Sequence, residues 1–298
     1  MRKWRGALGA TLLVALLIPG NALAIVNGEP DGDRHPNVGF LAVEFMIEGE
    51  PARFPVCSGS YGGPLLTNAS EHVFITAAHC LLGPAADGLP ASFLVVTYDT
   101  AARVDPATSQ VVGASAWHRA TDYTMDPQFE RRGLSALHDY GIVILDDVPL
   151  WLAPVDLPTA GLLDELFASG DLRPDVKFDR VGYGRTLDEW VQPPPRRPPG
   201  GGGATNVGFG APPARMLATS LYRGLTPDEL FLSQVLHVED GNGGGCFGDS
   251  GSPIFMHETN LAVAINGGGN PLCRSVSMNP RLDTPEARAF YGQYLRLP

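Results

Sequence analysis

The chain has 298 residues, 44% of them hydrophobic, with a formal net charge of −11. That length and apolar content allow one large domain or two small ones with a substantial core and exclude a wholly disordered chain. An acidic surface repels phosphate backbones, so nucleic acid is not an expected partner.

The chain opens on a basic "MRKWRG", an apolar "ALGATLLVALLI" and the small-x-small pattern Ala22-Leu23-Ala24. This reads as a secretory signal peptide over residues 1–24. Its apolar run, Ala7 to Ile18, is shorter than the roughly 18 residues of a spanning helix, so no stable membrane span is expected once it is cleaved. Export places the mature chain, 25–298, in the periplasm or the extracellular medium. Loss of Arg2, Lys3 and Arg5 reduces the 21 basic residues to 18 against 32 acidic ones, a net −14.

Short β-type runs follow in "NVGFLAVEF", "HVFITAAH", "SFLVVTY", "GIVIL", "KFDRVGYG" and "NLAVAING", each bounded by Gly, Pro, Asn or Asp. Their spacing favours an all-β barrel or sandwich over alternating strands and helices. Between them, 191–214 is so dense in proline and glycine that it predicts a long exposed loop, with an interdomain linker as the other reading. "TPDEL" at Thr226 predicts a short helix or turn. "DTPEARAFYGQYL" predicts a terminal helix, capped by Thr284 with Pro285 at its first position.

The four cysteines, at 57, 80, 246 and 273, all lie in the mature part. An even number in an exported chain suggests two disulfides, and sequence alone permits three connectivities. No CxxC pair and no HExxH occurs, so no metal or cofactor is signalled.

"GGGCFGDSGSP", Gly243 to Pro253, raises the question of chemistry. Ser250 is either a nucleophile or the polar tip of a glycine-rich turn. A serine hydroxyl needs a base in hydrogen-bond reach and a third group that fixes the base's tautomer. Among seven histidines, His79 in "FITAAHC" ends an apolar run beside Cys80. Asp139 in "HDYGIVIL" enters a very apolar strand, where a part-buried carboxylate needs a donor such as an imidazole N–H. Separately, each has a bland reading, as a surface histidine and a strand-entry turn residue.

Together, "IVNGEP" at Ile25, "CSGS" at Cys57, "TAAHC" at His79, "DYGIVIL" at Asp139 and "GDSGSP" at Ser250 resemble the trypsin-like, or chymotrypsin-fold, serine proteases, in the order His, Asp, Ser. The tail "RLDTPEARAFYGQYL" resembles bacterial secreted members. The resemblance implies two six-stranded antiparallel β-barrels, about Ile25 to Asp147 and Asp156 to Tyr183 plus Arg215 to Leu282, with the site between them and a C-terminal helix. It also implies Ser250 as nucleophile, His79 as base then acid, Asp139 as orienting group, and an oxyanion hole from the Gly248 and Ser250 N–H groups. The implied disulfides are Cys57 with Cys80 and Cys246 with Cys273. In the family a newly formed Ile ammonium pairs with the aspartate before the serine. Here those residues are Ile25, which directly follows the expected cleavage site, and Asp249.

By the same resemblance, Gly244, Gly245 and Cys246 largely set the specificity pocket, and Asn266, Gly267 and Gly268 form the wall that pairs with substrate backbone. A trypsin-type enzyme would carry Asp at Gly244. The absence of charge there predicts a neutral pocket suited to Phe, Tyr, Leu or Met, with a small substrate residue as the competing possibility and a plain structural glycine turn as the other reading. Ser252 stands where "GDSGGP" has glycine, a change expected to be tolerated. A lipase elbow, G-x-S-x-G with the order Ser, Asp, His, does not fit. The expected function is secreted endopeptidase action on protein or peptide substrates, with a protein inhibitor as a possible further partner. The alternative is a catalytically weak homologue that acts as a binding protein, because fold does not fix function.

Overall fold

A computed structural model of the chain describes residues 25, 27–133, 135–187, 209–210, 214–234, 243–270 and 273–298. The expected signal segment and most of the expected 191–214 loop lie outside the described residues. The flanks of that loop are tied together, because 186–187 pair antiparallel with 209–210.

Strands β1 (Val38–Ile47), β2 (Glu50–Leu65), β3 (Asn68–Thr76), β4 (Leu94–Thr97), β5 (His118–Met125) and β6 (Gly141–Leu145) close into an antiparallel barrel in the order β6-β3-β2-β1-β4-β5. β6 is "GIVIL", buried at every position because it pairs with β3 on one side and β5 on the other. Inside the barrel, large and small residues face each other, as a tapering interior requires. A Cβ on Gly59 would lie 2.4 Å from the Phe74 ring and 2.3 Å from the Ile75 carbonyl, so only glycine fits beneath that ring. β2 carries Pro51, Pro55 and Pro64, residues that lack a ladder N–H. A bulge helps to accommodate them: Leu41 of β1 faces Cys57 while Ala42 faces Pro55, leaving Val56 unpaired.

A second set comprises β7 (Lys177–Gly182), β8 (Met216–Leu225), β9 (Glu229–Gln234), β10 (Pro253–Met256), β11 (Ala262–Ile265) and β12 (Ser275–Pro280). It runs in the order β11-β10-β7-β8-β9-β12, and an antiparallel bridge between Ala264 and Arg281 joins its two ends. Leu163, Phe178, Leu230, Leu232, Ile254 and Val263 fill it. The chain thus forms two barrel-like β-sheets of six principal strands each. The N-terminal segment expected with the first barrel instead joins the second, since Glu29–Pro30 pairs with Met216 and Leu217 of β8.

Three α-helices are described: α1 (Ala78–Ala86), α2 (Leu162–Ala168) and α3 (Pro285–Tyr291). α3 begins as its sequence requires, with Thr284 Oγ1 accepting the Ala287 N–H at 3.1 Å and Pro285 at the first position. It crosses to the first barrel, where Phe290 and Tyr291 pack on Tyr140 at ring separations of 6.3 and 5.6 Å. "TPDEL" forms the β8–β9 turn, closed by the Glu229 N–H donating to Thr226 Oγ1 at 3.0 Å.

The barrels are joined through the buried side chain of Arg215. Arg215 at the start of β8 donates to Asp31 Oδ2 at 2.8 Å and to the Val38 and Tyr98 carbonyls of the first barrel. Asp31 also holds the His35 ring at 2.6 Å. Burial alone would raise the Asp31 pKa, but the His35 hydrogen bond and the Arg215 charge outweigh it and hold the carboxyl below its usual range.

Candidate active site

β3 ends at Thr76, and the extended Ala77 turns the chain into α1, which places His79 in that helix's first turn. Cys80 is bonded to Cys57 of β2, so the start of α1 is fastened covalently to the barrel wall. Asp139 precedes β6, beside Tyr140, whose hydroxyl donates to the Arg281 carbonyl at 3.1 Å while its ring packs under α3. The Asp139 carboxylate is fully buried. Its Oδ1 accepts the His79 backbone N–H at 2.8 Å, and its Oδ2 lies 2.7 Å from His79 Nδ1. A carboxylate oxygen accepts here, so Nδ1 is the donor and Nε2 is the ring nitrogen left to face away from Asp139.

Ser250 sits on a tight turn between Gly248, at φ +99°, and Gly251. Its carbonyl accepts the Ser58 N–H of β2 at 3.0 Å. The Ser58 hydroxyl in turn donates to the Gly248 carbonyl at 2.9 Å. The turn packs directly on the residues before His79: a Cβ at Gly251 would lie 2.2 Å from Thr76 Oγ1 and 2.6 Å from the Ala77 nitrogen. His79, Gly248 and Ser250 line one cavity of about 780 Å³ between the barrels. Among the described residues, neither the Gly248 nor the Ser250 N–H is bonded to a protein acceptor.

Of the other residues expected in the site, Gly245, Cys246, Asn266, Gly267 and Gly268 line the same cavity. Gly244 does not; it is buried behind the wall, where a Cβ would press 3.0 Å from Gln234 Cα. Both expected disulfides are formed, the second joining Cys246 to Cys273. Cys57, His79 and Cys80 cluster with the spacing of a metal donor set, but the two sulfurs are bonded to each other, which removes them as thiolate ligands.

Asp249 is buried, accepting the Gly184 N–H and the Cys246 N–H at 2.8 Å each. Burial outweighs these donors and pushes its pKa up to about 7. Ile25 is also fully buried, against Met216 and Ala218. In this form Ala24 precedes it in the chain, so Ile25 presents a peptide nitrogen and no ammonium.

Sequence reasoning missed Arg180. It lies in the cavity wall together with Gln234 and Ser277. Residues 244–246 carry no charge themselves; the cation nearest this lining is Arg180 of β7, a different strand, whose side chain is fully buried in the wall. The available signal was alternation in "KFDRVGYG", since successive strand residues face opposite sides and Arg180 shares a side with buried Phe178. Ser252, which stands where the family motif has glycine, is bonded to Asn266 of the expected wall: the Asn266 amide donates to Ser252 Oγ at 2.6 Å.

No protein-family model matches the chain, and no curated protein matches it in sequence. In fold it is similar to a solved collagenase structure, with a TM-score of 0.55 at 15% identity over 90% of this chain and 97% of that one. With the two barrels and the terminal helix, this establishes the trypsin-like serine protease fold.

Proposed function

We propose that the chain is a secreted serine endopeptidase that works through an acyl-enzyme. The observation that carries the reading is the two-point hold of buried Asp139 on His79, beside a cavity that His79 shares with Ser250. Ser250 Oγ attacks the scissile carbonyl while His79 Nε2 takes its proton. The resulting imidazolium is stabilised by the Asp139 carboxylate. The tetrahedral oxyanion is met by the free Gly248 and Ser250 N–H groups. Collapse expels the amine, which leaves with the proton from His79. Water then repeats the sequence on the ester, releasing the acid and restoring Ser250.

Export is part of the proposal. The signal-like start, the two disulfides and the absence of a spanning helix among the described residues are consistent with it. The tail further suggests a bacterial secreted type. Cleavage after Ala24 would free the Ile25 ammonium, which we propose pairs with Asp249 in the active form. A binding protein that merely kept the fold would need neither a held imidazole nor free N–H donors at the serine. Peptide hydrolysis by the mature chain, compared with Ser250→Ala, tests the reading. Equal turnover by both would overturn it.

A further inference from the structure

Arg180 is a cation enclosed in the protein, with no carboxylate bonded to it among the described residues. Its Nη1 donates to Asn266 Oδ1 at 2.6 Å and its Nη2 to Ser277 Oγ. Nε has no acceptor. Removing a guanidinium from water is costly unless negative charge replaces the lost hydration, and two neutral oxygens do so only in part. Burial lowers the Arg180 pKa to about 10, which still leaves it charged at neutral pH. Asp249 acts on it only through space, because its own oxygens are occupied by the Gly184 and Cys246 N–H groups.

The wall around this cation is kept bare. A Cβ on Gly245 would lie 3.2 Å from Arg180 Nη1 and 2.8 Å from Asn266 Oδ1. Gly267, Gly268 and Gly269 continue the same lining, and Arg180 shares the cavity with His79 and Ser250. An aromatic substrate side chain here would leave the charge uncompensated. A carboxylate would neutralise it, turning a bond charged on the donor side alone into an ion pair.

We propose that Arg180 determines specificity, its guanidinium receiving the side-chain carboxylate of the residue whose carbonyl is attacked, so that the chain cleaves after glutamate or aspartate. This rests on the reading of Ser250 as nucleophile. The carboxylate enters by displacing the Ser277 hydroxyl or the Asn266 amide oxygen from the guanidinium.

The test uses the signal-cleaved protein and four peptides that differ only in the residue before the scissile bond: Glu, Gln, Leu and Lys. Phosphonate labelling of Ser250, which does not depend on that side chain, is followed in parallel. Glu and Gln are nearly isosteric, so their ratio reads the charge. We expect kcat/KM for Glu to exceed that for Gln by about 100-fold or more. Arg180→Gln should bring that ratio to about one. If Arg180→Gln does not fold, the wild-type ratio still decides. Labelling of Ser250 together with equal cleavage after Glu and Gln, or preferred cleavage after Leu or Lys, would overturn acidic specificity while leaving the protease reading intact. No labelling and no hydrolysis of any peptide would overturn both.

Discussion

The Asp139 carboxylate grips His79 twice, accepting the backbone N–H on Oδ1 at 2.8 Å and lying 2.7 Å from the ring Nδ1 on Oδ2. The backbone bond fixes where α1 begins and the ring bond fixes which nitrogen carries the proton, so one buried group sets both position and tautomer. Asp139→Asn would offer an amide N–H to Nδ1 and favour the other tautomer. We expect kcat to fall by about 10⁴ at neutral pH. A loss of less than tenfold in steady-state assays would point to another acid.

Gly248 holds φ at +99°, and a Cβ there would lie 3.0 Å from Gly184 Cα. Gly248→Ala should therefore turn the residue's N–H away from the oxyanion position. The expected loss in kcat is about 100-fold or more, the cost of one such donor. Unchanged kcat would remove Gly248 from the proposed mechanism.

Asp31 and Arg215 pair with both side chains fully buried, where Arg215 also reaches the first barrel. Arg215→Met should destabilise the fold by about 3 to 5 kcal/mol, because it removes the guanidinium from a buried carboxylate and leaves it only its bonds to His35. The folded Asp31 pKa is lowered, so its stabilisation is fully present above the unfolded value near 3.8 and is lost as pH falls through the folded value. Asp31→Asn should flatten that part of the acid limb in thermal melts recorded against pH. An unaltered acid limb would show that Asp31 contributes no such linkage.

Asp249 behaves in the opposite sense before cleavage. Its folded pKa is raised to about 7, so the uncleaved chain is favoured below the unfolded value near 3.8 and loses that stability as pH rises through about 7. Pairing with a freed Ile25 ammonium would abolish the loss. Melts of the mature Ser250→Ala chain should then be flatter between about pH 5 and 8 than those of the same variant carrying one extra residue before Ile25. Identical profiles would reject the ion pair as the activating step.

Much of the site was legible because its chemistry restricts residue type. Ser250, His79 and Asp139 each sit in short motifs whose neighbours are dictated by local geometry, such as Gly248 and Gly251 at positive φ. α3 was legible from Thr284 and Pro285 for the same reason. β2 was obscured by its three prolines, which a bulge and edge geometry help to tolerate but which local propensity reads as breakers. Arg180 was hidden for a different reason. Its role depends on Asn266 and Ser277, which are 86 and 97 residues away in sequence and reach it only when the second barrel has closed.

The most direct test of the central claim is a phosphonylation experiment on the mature chain, with the adduct located by mass spectrometry and its rate compared across wild type, His79→Ala and Ser250→Ala. The account predicts a single adduct on Ser250, formed at least about 10³ times more slowly in His79→Ala and absent from Ser250→Ala, in parallel with loss of peptide hydrolysis. An adduct on another residue, or peptide hydrolysis that survives Ser250→Ala, would contradict it.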